Sequence, residues 1–516
     1  MGVRLFDTLQ GAVRPFDSRE PGVARMYTCG PTVYNFTHIG HLRPAVVADV
    51  LARHLSLRGY RVTWVTNFTD IDDKIIARAQ EEGEAPAALA QRYIDDYLEN
   101  LAALGIDRIE RFVRVTDHMP DIVDMIGRLV AGGFAYQVDG DVYFAVEAKA
   151  DYGKLSGRTL GEMRAGARVE VDPRKRHPMD FALWKAAKPG EPSWPSPWGA
   201  GRPGWHIECS AMSLRYLGNG FDIHGGGADL IFPHHENEVA QAEAATGVGP
   251  FVRFWVHNAM VEVDREKMSK SLGNFVPLRD LVAAHPGGAL RFFVLSTHYR
   301  KPLQYSASAI DEAQRAWTRL VQARAAWLEP PGGRRGAAGA ADLVRVETVR
   351  ATDAGEPAGE WPSAAPARQA RPLPDVASAA EQGFLDALDD DLNTAGALGH
   401  LFELVRAGNA ALAAGADSVQ LADARGALER CGEVLGLWVG ADTAAGARAG
   451  RPSDLADRLI RLLVDLRAEA RSYRDWTTAD RIRDGLAEAG VSLDDTPSGT
   501  RWRWSEAPDA VPGARP

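Results

Sequence analysis

His38-Ile39-Gly40-His41 stands between a predicted strand and a predicted helix, and Lys267-Met268-Ser269-Lys270-Ser271 follows roughly 230 residues later. A strand-to-helix turn presents backbone N–H groups and the positive end of a helix dipole to an anion. Two imidazoles there can donate hydrogen bonds to phosphate, and Gly40 lets a planar base approach the backbone. Lys267 and Lys270, at i and i+3, can meet the charge that develops on a pyrophosphate leaving group, the kind of electrostatic stabilisation that often dominates catalysis. The chain holds nine lysines and two fall in this pentapeptide, which makes a merely solvated loop a poor explanation. His38 and His41 by themselves could equally be capping or surface histidines.

A second set has a different chemistry. Cys29 lies in Cys29-Gly30-Pro31-Thr32, Cys209 in Trp205-His206-Ile207-Glu208-Cys209, and His234 and Glu238 in His234-His235-Glu236-Asn237-Glu238. His234 and Glu238 are i and i+4, one face of a helix. Two thiolates, an imidazole and a carboxylate form a zinc-competent set, and the spacing differs from the His-Glu-x-x-His of metalloproteases. Spacing alone also admits two buried structural cysteines. The third cysteine, Cys431, stands apart, and three scattered cysteines make no disulfide framework.

These groups need a scaffold. Residues 26–33 read as a buried strand ending in a Gly-Pro turn, 41–57 as a helix with Val46, Val47, Val50, Leu51 and Leu55 in its apolar stripe, and 60–67 as a second strand. Pro44 suits a first helical turn. Strand–helix–strand at this spacing implies a βαβ unit and a parallel sheet. Strands resume at 220–224 and 251–257, and the chain turns helical from 278. The expected class is α/β: a Rossmann-like parallel-sheet domain with an insertion, then a helical domain and a small C-terminal domain. The boundaries read as follows: 1–117 and 201–260 for the two sheet halves, 118–200 for the insertion, and 261–310 for the lysine loop and its sequel. A helical bundle takes 311–330 and 381–440, around a disordered linker at 331–380. A last domain takes 453–504, opening with an amphipathic helix over 455–470, and 505–516 is a tail.

The segments MYTCGPTVYNFTHIGH, NFTDIDDKI, GWHIECSAM, FDIHGGGADLIFPHHENEVAQ and VDREKMSKSLGN together resemble the cysteinyl-tRNA synthetases, among the class I aminoacyl-tRNA synthetases. The resemblance covers most of 4–330 and 381–504. It implies an ATP-dependent ligase that adenylates L-cysteine and passes it to tRNA(Cys), with Mg2+ accompanying the ATP. It puts Cys29, Cys209, His234 and Glu238 at the ligand positions of one Zn2+ per chain. His38, Gly40, His41 and Lys270 fall at ATP-binding positions, and His38, His41, Lys267 and Lys270 at catalytic ones. Thr69, Trp205 and Asp229 match substrate-side positions. Asp229 could hold the substrate ammonium or cap a helix. Trp205 could pack on the substrate or in the core, and Thr69 and Asp70 match a family motif near the substrate, though either could equally be a helix cap. A soft metal explains how cysteine is told from serine. An apolar pocket gains only about 1–3 kcal/mol from so small a difference, whereas zinc favours a thiolate over a hydroxyl.

The C-terminal words DWTTADRIRD and GTRWRW resemble the family's anticodon-reading domain, with Arg501, Trp502 and Arg503 suited to splayed-out bases. From 453 to 516 there are ten Arg against twelve Asp and Glu, so any RNA-binding face there is local. The formal charge of −10 argues mildly against a nucleic-acid partner but reports only the total. The N-terminus carries no signal-peptide stretch and no run reaches the length of a membrane span. The expectation is a cytoplasmic protein with no membrane partner, and the resemblance implies a monomer. Two rivals share the motifs: a mycothiol-pathway cysteine–amino-sugar ligase, whose chain lacks the small last domain, and a catalytically silent cysteine-sensing paralogue.

Overall fold

The computed structural model describes residues 2–166, 172–263, 266–267, 276–328, 372–441, 463–464, 467–468, 470–471, 475–488, 491–496 and 499–504. The chain divides into two units, Met1–Asp442 and Thr443–Pro516. Among the described residues no helix is long and apolar enough to cross a membrane.

The first unit is built on β1 (Val23–Thr28), α1 (Ile39–Leu57), β2 (Arg61–Phe68), α2 (Pro86–Ala103), β3 (Arg111–Arg114), α3 (Trp205–Leu217), β4 (Phe221–Gly227), α4 (Glu236–Thr246) and β5 (Val252–Asn258). The five strands pair in parallel in the order β5-β4-β1-β2-β3. Strands from both sequence halves thus meet where β1 pairs with β4. That is the switch point of a doubly wound sheet, where ligands bind beyond the carboxyl ends of the strands. Trp64, Tyr27, Phe221 and Trp255 are almost wholly buried around the sheet. Such side chains contribute upwards of about 2 kcal/mol each.

α1 carries the expected stripe, with Val46, Val50, Leu51 and Leu55 buried. It begins at Ile39, two residues earlier than the sequence reading. Pro44 therefore sits past the first turn. Lacking an N–H, it leaves the Gly40 carbonyl without an i+4 donor. β1 ends at Thr28, because the Gly30-Pro31 turn breaks the ladder; only a bridge between Thr32 and Thr69 continues it.

The insertion holds the helix Met119–Ala131 and an antiparallel sheet of Ala135–Val138, Asp141–Phe144, Phe181–Ala186 and Gly201–Pro203. Its last strand passes the boundary read at 200, since Lys185 and Arg202 pair across it. Beyond β5, β6 (Val261–Val263) pairs with Glu266–Lys267 and, in parallel, with Leu303–Tyr305. Helices α5 (Leu278–Ala284) and α6 (Gly287–Leu295) follow. The bundle comprises α7 (Ala307–Ala326), α8 (Leu373–Asp389), α9 (Thr394–Ala413) and α10 (Ala422–Leu435). α8 corrects the linker boundary: helix starts at Leu373 rather than at 381. Pro374 occupies the first turn, where its missing N–H costs nothing. The rest of the linker, 331–371, and the tail, 505–516, lie outside the described residues.

In the second unit a helix, Trp476–Glu488, packs against the hairpin Val491–Thr496/Gly499–Trp504, with Leu486 and Val464 in a small core. Most of the expected helix over 455–470 is outside the described residues.

Candidate active site and metal centre

Cys29 follows β1, Cys209 sits in the first half of α3, and His234 ends the turn Ile231–His235 that runs into α4, which carries Glu238. Their donor atoms all lie within 4.8 Å of one another. Cys29 Sγ is 3.5 Å from Cys209 Sγ, 3.4 Å from His234 Nε2 and 3.5 Å from Glu238 Oε1. His234 Nε2 is 3.0 Å from Glu238 Oε1. Gly30 permits this convergence: a Cβ there would fall 1.6 Å from the Asn67 carbonyl oxygen.

The charges test whether a cation fits. Burial opposes ionisation of Glu238, yet His224 and His234 beside it hold its carboxyl down to about 2. Burial likewise opposes the His234 imidazolium, but Glu238 and Cys209 push it up to about 10. Burial would raise the Cys209 thiol, and the hydrogen bond from Cys29 together with His234 outweighs it, to about 6. Cys29 goes the other way, pushed well up by burial and then by Cys209 and Glu238. One thiolate and one carboxylate thus face a single imidazolium, which leaves negative charge in excess, and ionising the second thiol adds more. A divalent ion with a taste for sulfur and nitrogen supplies the missing positive charge, so the donor set fits zinc.

Cys29, Cys209 and His234 face a cavity of about 490 Å3 that is also lined by His38, Gly40, His41, Thr69, Trp205 and Asp229. His38 is the N-cap of α1: its Nδ1 accepts from Gly40 N at 3.1 Å, and its N–H donates to His41 Nδ1 at 3.3 Å. The two rings lie 3.9 Å apart. Burial, then the neighbouring His38, lowers His41 to about 3, which favours the neutral ring. The capping reading and the ligand-facing position coexist here. Lys267 lies in the two-residue strand opposite β6, and Lys270 is outside the described residues.

The substrate-side residues divide. Thr69 is buried and donates to Glu208 Oε2 at 2.8 Å. Asp70 does not face the cavity: its carboxylate accepts from Thr116 N–H and Oγ1 and caps a turn. Asp229 caps no helix, since the turn Ala228–Leu230 has Gly227 as its N-cap with no side-chain cap bond. Trp205 stacks on the His234 ring at 4.3 Å and is 37% exposed, which removes the core reading. Sequence reasoning missed Glu208, whose carboxyl is pushed well up by burial and then by Cys209. It also missed a nest of imidazoles around the cluster. His206 Nδ1 meets His234 Nδ1 at 3.0 Å, His224 Nε2 meets Glu238 Oε2 at 2.9 Å, and His235 Nδ1 meets His257 Nε2 at 2.7 Å. A histidine in each of the words GWHIEC, FDIHGGG and FWVHN was the available signal.

Residues 15–315 match the family described as tRNA synthetases class I (C) catalytic domain, and 383–439 match the DALR domain. A protein of Pelotomaculum thermopropionicum named cysteine–tRNA ligase is 50% identical over 512 residues, covering 97% of this chain and 99% of its own. One from Heliobacterium modesticaldum with the same name is 48% identical, covering 98% and 100%. The fold is similar to Mycobacterium tuberculosis methionyl-tRNA synthetase in complex with methionyl-adenylate, with a TM-score of 0.54 at 19% identity over 80% of this chain and 89% of that one. It is similar also to Agrobacterium radiobacter K84 LeuRS in a ternary complex with tRNA and LeuAMS, with a TM-score of 0.56 at 12% identity over 82% and 86%. At these identities the likeness is one of fold.

Proposed function

This chain belongs to the cysteine–tRNA ligase family of class I aminoacyl-tRNA synthetases, and we propose that it activates L-cysteine with ATP and transfers it to tRNA(Cys) in the cytoplasm, as a monomer. The observation that carries the reading is the shared cavity. Two sulfurs and an imidazole face the same cavity as His38, Gly40 and His41, and the Glu238 carboxylate meets them from behind.

Cys29, Cys209, His234 and Glu238 would hold zinc. Bound there, a zinc ion would supply a soft centre that favours a thiolate over the hydroxyl of serine. Thr69, oriented by Glu208, stands on the substrate side, and Asp229 holds the ammonium end. His38 and His41 donate to the phosphates of ATP, and Lys267 and Lys270 neutralise the pyrophosphate. In the first step a cysteine carboxylate oxygen attacks the α-phosphorus, and pyrophosphate leaves with its bonding electron pair. In the second a ribose hydroxyl of tRNA attacks the carbonyl carbon, loses its proton, and AMP leaves. Placement and charge neutralisation do this work without a covalent enzyme intermediate. Residues 453–504 are proposed to read the anticodon.

ATP–pyrophosphate exchange driven by single amino acids tests the reading. Exchange with cysteine alone supports it; exchange with serine or methionine at a similar rate, or none with any amino acid, rejects it.

A further inference from the structure

Three members of the cluster, Cys29, Cys209 and His234, line the cavity, whereas His224, His235 and Glu238 lie behind them and are completely buried. The hidden residues form a donor set of their own. Cys29, His224, His235 and Glu238 also offer ligand atoms that all lie within 4.8 Å of one another. His235 Nε2 is 3.4 Å from Cys29 Sγ and 3.9 Å from Glu238 Oε1, and His224 Nε2 is 2.9 Å from Glu238 Oε2.

Beyond proximity, the surroundings of His235 suit a metal ligand. A ligating imidazole must be neutral, must carry its proton on the far nitrogen, and is held by a partner there. His235 Nδ1 is 2.7 Å from His257 Nε2, and His257 Nδ1 is 2.8 Å from Thr8 Oγ1. Of the two tautomer sets that satisfy this chain, the one a metal ion selects puts a proton on each Nδ1: His235 donates to His257, and His257 to Thr8. His235 Nε2 is then a bare lone pair aimed at Cys29. On the other side both rings meet aromatic carbon, with His224 stacked on Trp255 at 4.6 Å and His235 5.1 Å from it.

We propose a second, inner metal position, Cys29–His224–His235–Glu238, that competes for the divalent ion of the outer set and shuts it away from the cavity. The inference rests on the outer set's being a zinc site. Cys29 and Glu238 belong to both sets, so one ion can occupy one position at a time. One sulfur, two nitrogens and one oxygen suit the same borderline cations, Zn2+ or Co2+. An ion at the inner position has four protein ligands and no opening, so a substrate thiol cannot reach it. The distribution between the two positions then sets the fraction of protein able to bind cysteine.

The full-length protein, stripped by chelation and reloaded with Co2+, separates the positions by metal count and by thiolate-to-cobalt charge-transfer absorption. Wild type should bind about one ion with a two-thiolate band that shifts when L-cysteine is added. Cys209→Ala should still bind about one ion, with the band about halved and unmoved by cysteine. His234→Gln, which removes the other outer-only ligand, should likewise keep its ion. Adding His235→Gln to Cys209→Ala should abolish binding. Loss of cobalt from both Cys209→Ala and His234→Gln, or retention in the Cys209→Ala/His235→Gln double variant, would overturn the inner position. A wild type that binds no cobalt would instead reject the outer site.

Discussion

The backbone N–H of Ile39 donates to the carbonyl of Val276 at 3.1 Å, and Leu278 N–H returns the bond to Thr37 at 2.9 Å. The histidine turn is therefore stitched to the chain that emerges from the lysine segment. Asp96 Oδ2 accepts from Thr37 N–H at 2.9 Å and steadies the same turn from α2. On the other side the segment leaves from β6, whose Val261 lines the cavity. Both ends of the lysine loop are thus fixed beside the proposed phosphate site.

The proposed function makes His41 and Lys270 groups that act in the transition state. His41→Asn and Lys270→Ala should each lower cysteine-dependent pyrophosphate exchange by about 10²-fold, as loss of one preorganised donor does. Metal content should stay unchanged. Near-normal exchange in both variants would remove them from the proposed roles.

Glu238 is common to both donor sets. Glu238→Ala should therefore lose the metal outright, and Cys431→Ser, whose thiol is buried in the bundle, should lose none. Metal analysis of the purified variants decides the matter; full zinc in Glu238→Ala would contradict the assignment.

His41 also predicts a pH dependence. Its folded value of about 3 lies below the ordinary 6.5, so below pH 6.5 the unfolded chain binds a proton that the folded chain does not. Its contribution is harmless above 6.5 and becomes destabilising as pH falls toward 3. At pH 5 the cost is about 2 kcal/mol. Thermal unfolding of metal-loaded protein at pH 7 and pH 5 should show a smaller acid loss in His41→Asn than in wild type, and equal losses would refute the buried, neutral ring.

The anticodon proposal separates the two half-reactions. Deleting the chain from residue 453 should spare pyrophosphate exchange and sharply lower tRNA charging, because remote contacts orient the acceptor end. Trp502→Ala should weaken charging more mildly, by roughly 1–3 kcal/mol if it stacks on a base. Parallel loss of both activities would assign these residues to stability instead.

The four zinc candidates were legible through the resemblance of the words around them to the family, since spacing alone also admitted two buried structural cysteines. The imidazole nest was not. His224 and His257 each stand singly inside an apolar strand, where an isolated histidine reads as core, and only the parallel register brings β4 and β5 together. Asp70 illustrates the opposite error. It adjoins Thr69 in sequence, but the chain turns at the end of β2, so one side chain meets Glu208 and the other Thr116. The early start of α8 escaped because Pro372 and Pro374 read as breakers, although a first helical turn tolerates both. The disordered linker expected over 331–371 and most of the amphipathic helix expected over 455–470 lie outside the described residues.

Charging of tRNA with labelled cysteine, before and after zinc is removed by a chelator and then restored, tests the central claim most directly. The expected result is acid-stable label on tRNA(Cys), lost on chelation and recovered with zinc, with none on an amino-sugar acceptor. Label on the amino sugar instead of tRNA, or charging indifferent to the metal, would contradict it.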